Sequence, residues 1–398
     1  MRILVVHRYY WPDTPPCASI MRHVAKQFAA DGHTVDVLTS QPSYRDSSLQ
    51  NRQSSSEQLD NVFVTRLSLP TETSQPLRRI TNALRLGIRI IWRSLITRYD
   101  VIVVGSIPPV LGGFFSACAA KLTRARLIYY CMDLHPEIGR VSGDFSNAIL
   151  FRVLRGLDDW TCRHAKPVLV HSEDMRTTLR ERARGSEYRV DLMNSFSLPR
   201  DDDSPHKSDF NWGRRSHRLR LIYAGNMGRF QGLETWLDAM AQIAYRKDIE
   251  LIMMGDGVAK TGLVAQRDKT NANVRFFDYQ PVEVVRPAIK SSDLGVVSLI
   301  PEIYRYAYPS KTMAYLEEGR PIIATVETQS ELSKTMMEEG YGFTAPIGNP
   351  CALANFIVQL ANDLSWRKPM NQAASVAFET HFSASIVLAK WSHVVGRP

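Results

Sequence analysis

The sequence predicts two α/β domains in series, each built on a doubly wound parallel sheet with helices on both faces. Three observations lead to this prediction. Short apolar segments rich in β-branched residues alternate with stretches of helical periodicity. A polar stretch at residues 200–217 interrupts this alternation, which restarts after it. The length of 398 residues is about right for two domains that each bury a core of their own.

The first domain is predicted over residues 1–199. A helix predicted at Ile20–Ala30 ends at Asp31-Gly32. The uncharged stretch at residues 101–120 has the length of a membrane span, but Pro108-Pro109 and Gly112-Gly113 interrupt it. This stretch therefore predicts a strand, a turn and the start of a helix. The strands of the domain are predicted at Ile3–Val6, Val35–Leu38, Val62–Leu67, Val101–Val104, Leu127–Cys131 and Val168–Val170.

The second domain is predicted over residues 218–375, after a linker at residues 200–217. Helices are predicted at Leu233–Ala244 and from Ser310, and residues 351–398 show only helical patterns. Ligands of doubly wound sheets bind at the carboxyl ends of the strands, so two such domains predict an active site in the cleft between them. The strands are predicted at Leu219–Tyr223, Glu250–Met254, Val274–Phe276, Leu294–Val297 and Ile322–Thr325.

The net charge of +9 arises entirely in the first half of the chain. Residues 1–200 hold 27 Lys/Arg and 18 Asp/Glu, whereas residues 201–398 hold 22 of each. A basic surface suits nucleic acid, a phosphorylated ligand or an anionic membrane. The five cysteines are scattered and form no CxxC pair, which argues against a disulfide framework and a zinc site.

Two glycine-rich turns follow predicted strands of the second domain. Ala224-Gly-Asn-Met-Gly228 precedes a helix, and Gly255-Asp-Gly257 follows the next strand. Glycine lets a backbone approach a ligand closely, and free N–H groups at a helix start suit a phosphate, with Arg229 or Gln231 as further donors. The alternative reading of each segment is an ordinary strand–helix turn.

A lysine at the predicted start of a helix strengthens the phosphate interpretation. Pro309 is a favoured first helical residue, and Ser310 is predicted to cap the helix. Lys311 in the first turn opposes the helix dipole, unless a bound anion such as a diphosphate reverses that argument. The alternative is a solvated surface lysine.

Two further segments of the first domain carry chemistry. Asp133 and His135 follow a predicted strand, where a carboxylate orients a hydroxyl and a histidine exchanges protons. For His135 taken alone, a structural histidine before proline is the favoured interpretation. Residues 77–99 form a basic amphipathic helix with an interfacial tryptophan, Trp92. Such a helix suits an anionic membrane surface, and the alternative is a domain helix with one solvated basic face. No nucleic-acid motif accompanies these charges.

Taken together, these motifs resemble those of the family 4 glycosyltransferases, retaining enzymes of GT-B fold, over nearly the whole chain. The resemblance is closest to the branch that builds bacterial surface polysaccharides and lipid-linked glycans. The matching segments are Gly32-His-Thr-Val35, Asp133-Leu-His-Pro-Glu137, Val170-His-Ser172, Leu192-Met-Asn194, Ala224-Gly-Asn-Met-Gly228, Gln231-Gly-Leu-Glu234, Gly255-Asp-Gly257, Pro309-Ser-Lys311 and Gly319-Arg-Pro321.

The resemblance implies a role for each group of motif residues. Asp133 and Lys311 are expected to be catalytic, and the acceptor is expected near Tyr9, Tyr10, Pro15 and His135. A C-terminal helix at residues 376–398 is expected to cross back to the first domain. The nucleotide sugar is expected at Gly225, Asn226, Met227, Gly228, Arg229, Gln231, Gly255, Asp256, Gly257, Asp278, Tyr279, Gln280, Pro309, Ser310 and Thr312.

The expected function is transfer of a hexose from a nucleotide diphosphate sugar, with UDP favoured over GDP, to a lipid-linked or polysaccharide-precursor acceptor. Neither a metal nor another cofactor is expected, and the enzyme is expected in the cytoplasm or on the inner face of the cell membrane. Three features depart from the family pattern: Met132 and Ala314, where many relatives carry histidine and glutamate, and Pro15-Pro-Cys-Ala-Ser19, where relatives usually carry a glycine pair. The alternatives are a nucleotide-sugar epimerase of the same fold and a non-catalytic sugar-nucleotide-binding protein. A dinucleotide-dependent enzyme is disfavoured because no GxGxxG follows the first strand.

Overall fold

The structure, a computed structural model, divides into two compact units. It describes residues 1–13, 15–43, 52–70, 76–141, 143, 147–183, 185, 187–197 and 218–397. Unit 1 comprises residues 1–198, 306–308 and 384–398, and unit 2 comprises residues 199–305 and 309–383. The linker predicted at residues 200–217 lies outside the described residues.

Unit 1 contains an eight-stranded sheet whose strands are parallel except at one edge. The strand order is β3-β4-β2-β1-β5-β6-β7-β8, and only β3 and β4 pair in antiparallel fashion. They are joined by Asp60 and Asn61, whose positive φ angles suit a tight hairpin turn. The strands are β1 (Arg2–Val6), β2 (Thr34–Ser40), β3 (Ser56–Leu59), β4 (Val62–Leu67), β5 (Val101–Gly105), β6 (Arg126–Cys131), β7 (Ala165–Val170) and β8 (Val190–Leu192).

Helices cover both faces of this sheet, as continuous apolar strands require. The helices are α1 (Pro16–Ala30), α2 (Pro76–Thr97), α3 (Leu111–Thr123), α4 (Glu137–Val141), α5 (Ala148–His164) and α6 (Glu173–Ala183), with α14 (Ala384–Gly396) at the end of the described chain. One core lies under α2, α3, α5 and α6. The other lies under α1 and α14, where the buried Trp391 packs edge-on against Phe28 and Tyr130.

Unit 2 contains a six-stranded parallel sheet of order β11-β10-β9-β12-β13-β14. Counted within the unit, this order is 3-2-1-4-5-6, in which the connections leave the central pair β9 and β12 in opposite directions. Ligands bind at such a switch point, outside the carboxyl ends of the two strands. The strands are β9 (Leu219–Ala224), β10 (Ile249–Met254), β11 (Val274–Phe277), β12 (Leu294–Ser298), β13 (Ile322–Thr325) and β14 (Gly342–Ala345).

The helices of unit 2 correct one predicted boundary. They are α7 (Glu234–Gln242), α8 (Lys260–Asp268), α9 (Val282–Lys290), α10 (Lys311–Glu317), α11 (Glu331–Glu338), α12 (Pro350–Asn362) and α13 (Arg367–Ala377), followed by a π-helical turn at Phe378–Phe382. The C-terminal segment that returns to unit 1 begins at Ala384, and not at residue 376 as expected. Helix α13 and the π-helical turn still belong to unit 2, which continues to the extended residue Ser383.

The uncharged stretch at residues 101–120 forms β5, a turn and the first part of α3, as predicted. Within the described ranges, no helix has the length and apolarity that a membrane crossing requires.

Candidate functional site

The two glycine-rich turns of unit 2 pack directly against each other at the carboxyl ends of β9 and β10. The Gly225 N–H donates to Met254 O (2.9 Å), and the Met227 N–H donates to Asp256 O (2.8 Å). A Cβ atom on Gly255 would lie 2.0 Å from Gly225 O, so only glycine fits there. Residues 225–228 and 255–257 therefore form one rigid double turn.

This pairing limits which predicted residues face a ligand. The backbone of Met227 bonds to Asp256 and Ala259, and its side chain is buried in the core. We therefore expect Met227 to hold the double turn instead of contacting a ligand. The neighbouring N–H groups of Gly228 and Arg229 find no acceptor among the residues that the structure describes. Free N–H groups in a turn are suitable donors for an anion.

The amine of Lys311 lies beside this double turn. A Cβ atom on Gly225 would be 2.7 Å from Lys311 Cε, and Lys311 Nζ lies 4.8 Å from the centroid of the Tyr223 ring. In the described part of the chain, no carboxylate pairs with this amine. Burial lowers the pKa of Lys311 to about 8, because desolvation disfavours the charged form. A partly buried amine without a counter-ion is suited to bind an anion.

Two buried polar side chains of unit 2, in the segments that follow the first glycine-rich turn and Lys311, have atoms without a hydrogen-bond partner. Gln231 Oε1 and Thr312 Oγ1 make no hydrogen bond in the structure, although both residues are buried. Buried polar atoms are normally satisfied, so each orphan needs an explanation such as a ligand. The Gln231 backbone is held in place, since the Ser298 hydroxyl donates to its carbonyl oxygen.

The loop after β11 is connected to the double turn by a residue that the sequence did not single out. Lys260 Nζ donates to Asp278 Oδ1 (2.5 Å) and to Gly255 O (3.1 Å). This ion pair lowers the pKa of the exposed Asp278 carboxyl. Tyr279 is exposed and Gln280 is partly buried, so both remain accessible beside Asp278.

One predicted detail at the start of α10 is wrong. Ser310 does not cap the helix: its backbone is already helical and its side chain accepts no hydrogen bond from the first turn. The Pro309 carbonyl instead accepts the Thr312 N–H at 3.1 Å, which leaves the exposed Ser310 hydroxyl without a capping role.

In unit 1, Asp133 follows β6 with its carboxylate unpaired. Its side chain makes no hydrogen bond or ion pair within the described ranges. Burial raises the pKa of Asp133 to about 6, because no cation compensates for desolvation. The charge of Asp133 also raises the pKa of the Cys17 thiol in the first turn of α1, as does that of Asp13, although burial of the thiol is the larger cause. Both carboxylates therefore lie within electrostatic reach of the Cys17 thiol.

The other residues predicted to bind the acceptor are used differently. Tyr10 is 2% exposed and packs in the core, so we expect it to support the loop after β1 without touching a substrate. Tyr9 is partly buried, and its carbonyl oxygen accepts the His7 Nδ1–H at 2.7 Å. Pro15 is buried at the start of α1, and the His135 carbonyl accepts a hydrogen bond from Arg182 (3.3 Å).

Besides Lys260, three residues with supporting roles escaped the sequence analysis. Tyr223 presents its ring to Lys311, and the Tyr315 hydroxyl accepts the Ala224 N–H (3.0 Å) and donates to Val296 O (3.2 Å). Arg182 is the centre of a buried ion cluster. Of these residues, only Lys260 could have been recognised from the sequence, because it is the first residue of α8 just as Lys311 is the first residue of α10.

The described residues contain no group of three or more metal-ligating side chains.

Both halves of this arrangement match known sequence families. A glycosyl transferase 4-like domain matches residues 17–195, and a glycosyl transferases group 1 domain matches residues 218–363. Together these matches cover about four fifths of the chain. The chain therefore belongs to the glycosyltransferases of GT-B fold.

Individual relatives agree with this assignment. The chain is 26% identical to "Probable glycosyltransferase WbjE" of Pseudomonas aeruginosa over 303 residues, which is 73% of each chain. Its fold is similar to that of HepE from Anabaena in complex with UDP-glucose (TM-score 0.71, 16% identity, 99% of both chains). It is also similar to that of WaaG, a glycosyltransferase involved in lipopolysaccharide biosynthesis (TM-score 0.69, 13% identity, 99% of this chain and 100% of WaaG).

Proposed function

We propose that this glycosyltransferase moves a hexose from a UDP-sugar, with retention of configuration, to a lipid-linked or polysaccharide-precursor acceptor at a membrane surface. The observation that carries the donor assignment is the partly buried amine of Lys311 beside the double turn, without a counter-ion in the described residues. The diphosphate of a nucleotide sugar supplies the missing anion. The complex of HepE with UDP-glucose supports UDP as the nucleotide.

The same groups account for the chemistry of the donor. As the glycosidic bond breaks, negative charge grows on the departing diphosphate. Lys311 and the free N–H groups of Gly228 and Arg229 would stabilise that charge from fixed positions, each by roughly a few kcal/mol. Because Lys311 would supply positive charge to the leaving group, we propose a metal-independent reaction. Gln231 and Thr312 offer further hydrogen-bonding atoms to the donor.

On the acceptor side, we propose that Asp133 contacts the reacting hydroxyl group. With its pKa at about 6, this carboxyl is mostly ionised at neutral pH and accepts a hydrogen bond from a hydroxyl. It has no partner in the described part of the protein that would compete for this role. Of the remaining acceptor-side candidates, Tyr9 and His135 are partly buried, whereas Tyr10 and Pro15 are buried.

The outer face of α2 supports a membrane-associated acceptor. The exposed residues of this helix include seven large apolar side chains, together with Arg78, Arg79 and Arg85. On the same side of the sheet, α5 also exposes Ile149, Leu150, Val153 and Arg152. Apolar and cationic groups on one face suit an anionic bilayer, and we propose the inner face of the cell membrane. The apolar residues of α2 are Leu77, Ile80, Leu84, Ile88, Trp92, Leu95 and Ile96.

The decisive experiment measures nucleotide binding by calorimetry with the wild type and with Lys311→Ala. We expect UDP to bind more tightly than GDP, and Lys311→Ala to weaken UDP binding by at least about tenfold, or about 1.4 kcal/mol. Because the Lys311 charge is desolvated and unpaired in the free protein, the variant should unfold at the same or a higher temperature. Lys334→Ala, at an exposed lysine on α11, is the matched control and should bind UDP normally.

Equal UDP affinity in Lys311→Ala and the wild type would disprove the diphosphate role of the lysine. Binding of no nucleoside diphosphate by the wild type would disprove the donor assignment and would favour a non-catalytic role for this fold.

A further inference from the structure

The segment that carries Asp133 is held before this residue, just after it and at residues 135–137. Ahead of Asp133, the Met132 N–H donates to Ser106 Oγ (3.2 Å). Just after it, the Leu134 N–H donates to Tyr306 O (2.8 Å). The next residues, 135–137, lead into α4 and are held by the side chain of Arg182.

Arg182, in the last turn of α6, bonds in two directions at once. On one side its Nη1 donates to His135 O (3.3 Å) and to Glu137 Oε2 (3.2 Å). On the other side its Nε donates to Asp159 Oδ1 (2.6 Å), and its Nη2 donates to Asp158. The Arg182 side chain is 2% exposed, so these bonds lie inside the protein.

The far side of this cluster is itself immobilised. The Tyr129 hydroxyl donates to Asp158 Oδ1 (2.8 Å), and the Tyr188 hydroxyl donates to Asp159 Oδ1 (3.0 Å). Both aspartates lie on α5. The guanidinium group therefore connects a fixed point on α5 to the segment after Asp133. Its planar fork with five N–H donors is suited to this task, whereas the ammonium group of lysine is a compact point charge.

Stability alone does not explain the cluster. Three carboxylates surround one guanidinium in the interior, and desolvation of such a group often costs more than its ion pairs return. Replacing a buried ion cluster with well-packed apolar residues is often neutral or stabilising. The structure thus favours a role in holding one particular conformation, and the segment it holds carries the unpaired carboxylate of Asp133.

We propose that Arg182 is a positioning residue of the acceptor side, which fixes residues 135–137 and thereby the place from which Asp133 meets the substrate. This inference rests on the proposed function of Asp133. The Asp133 side chain makes no hydrogen bond in the described ranges, so its position depends on the backbone on either side of it.

The test compares Arg182→Lys with Arg220→Lys in the full-length protein. Arg220 is the matched control because it is equally buried, 3% exposed, and pairs with the buried Glu250 (2.8 Å) in unit 2. Amide hydrogen exchange and steady-state hydrolysis of UDP-glucose are measured for both. We expect Arg182→Lys to speed exchange at residues 132–141 by at least about tenfold. We expect its kcat to fall by at least about tenfold with KM for UDP-glucose within about twofold, while Arg220→Lys changes neither quantity.

Unchanged exchange at residues 132–141 in Arg182→Lys would overturn the proposal, as would an equal loss of kcat in Arg220→Lys. If the wild type does not hydrolyse UDP-glucose, which tests only one hexose of the proposed UDP-sugar class, hydrogen exchange alone decides the role of Arg182. If Arg182→Lys does not fold, Glu137→Gln replaces it, because this change weakens the hold on the segment and leaves Asp158 and Asp159 paired. The same local rise in exchange is then expected, and its absence contradicts the proposal.

Discussion

At the scale of single residues, Lys311 combines two properties that rarely occur together. It is a cation removed from water, and no anion in the described chain compensates for its charge. Its pKa of about 8 lies below the usual lysine value because of this desolvation. Between the pKa of Lys311 in the folded state, about 8, and the ordinary lysine pKa of 10.5, the unfolded state binds more protons than the folded state does. The contribution of Lys311 to the free energy of unfolding therefore rises with pH above about 8. A bound diphosphate would remove this penalty and raise the pKa again.

The affinity for UDP should therefore depend on pH in a defined window. Below pH 8 the amine is already protonated and the affinity should be nearly constant. Above pH 8 binding must recover a proton, and the affinity should fall, approaching about tenfold per pH unit. Calorimetry from pH 6.5 to 9.5 in buffers of different ionisation enthalpy measures both the affinity and the proton uptake. Lys311→Ala serves as the control for titration of UDP itself, and an identical pH profile in the variant would refute this account.

Local rules singled out the candidate polar residues, but not their partners in the structure. Lys311 was singled out because a cation opposes the dipole at a helix start, and the glycines because their spacing follows two strands. The ring of Tyr223 that faces Lys311 lies 88 positions away in the sequence, and no local pattern reports such a contact. Ser310 was wrongly predicted as a cap because residue type alone does not reveal that its backbone is already helical.

At the scale of elements, α2 shows why exposed and engaged arginines need to be distinguished. Arg93 donates to the Tyr99 hydroxyl (3.1 Å) and lies 3.6 Å from Asp36 Oδ2, so it belongs to the fold. Arg89 lies over the Trp92 ring at 4.1 Å. The exposed residues Arg78, Arg79 and Arg85 make no ion pair within the described ranges.

Replacing Arg78, Arg79 and Arg85 with glutamate should release the protein from anionic vesicles. Each cation near such a surface contributes about 1 kcal/mol, so the binding constant should fall by at least about a hundredfold. Co-sedimentation with phosphatidylserine-containing vesicles at low salt measures it. The control exchanges three exposed lysines of unit 2, Lys247, Lys290 and Lys334, for glutamate with the same change in net charge. Equal loss in both variants would mean that net charge, and not α2, determines binding.

The predicted and unpredicted strands differ in burial. Interior strands such as β1, β5 and β10 are buried along almost their whole length and appear as continuous apolar runs. The three strands that the pattern did not indicate, β3, β8 and β14, are all edge strands of three or four residues. An edge strand buries less side-chain surface, so its sequence carries little periodicity for a prediction to use.

At the scale of the whole molecule, unit 1 is completed by a helix from the far end of the described chain. Trp391 of α14 is fully buried against Phe28 and Tyr130, with ring centroids 6.0 and 5.0 Å apart. Arg126 Nη1 donates to Val394 O (3.1 Å) on the same helix. The returning helix is thus part of the core of unit 1.

Trp391→Ala should therefore destabilise unit 1 by about 3–5 kcal/mol, the usual effect of truncating a buried aromatic side chain. Urea unfolding followed by circular dichroism measures the change, and hydrogen exchange in α1 locates it. The variant Lys390→Ala, at an exposed residue of the same helix, should leave stability within about 0.5 kcal/mol. A loss of protection confined to unit 2 would contradict this placement of the helix.

The discontinuity of unit 1 has a consequence for protein synthesis. On the ribosome, residues 1–198 emerge first, but their core lacks α14 until about 190 further residues have been translated. At about 5–20 residues per second, this delay lasts roughly 10–40 s. During that time the nascent chain exposes the apolar surfaces of α1 and β6 that Trp391 later covers. A chaperone that shields this surface during translation should raise the yield of folded enzyme, and pausing of the ribosome before codon 384 should lower it.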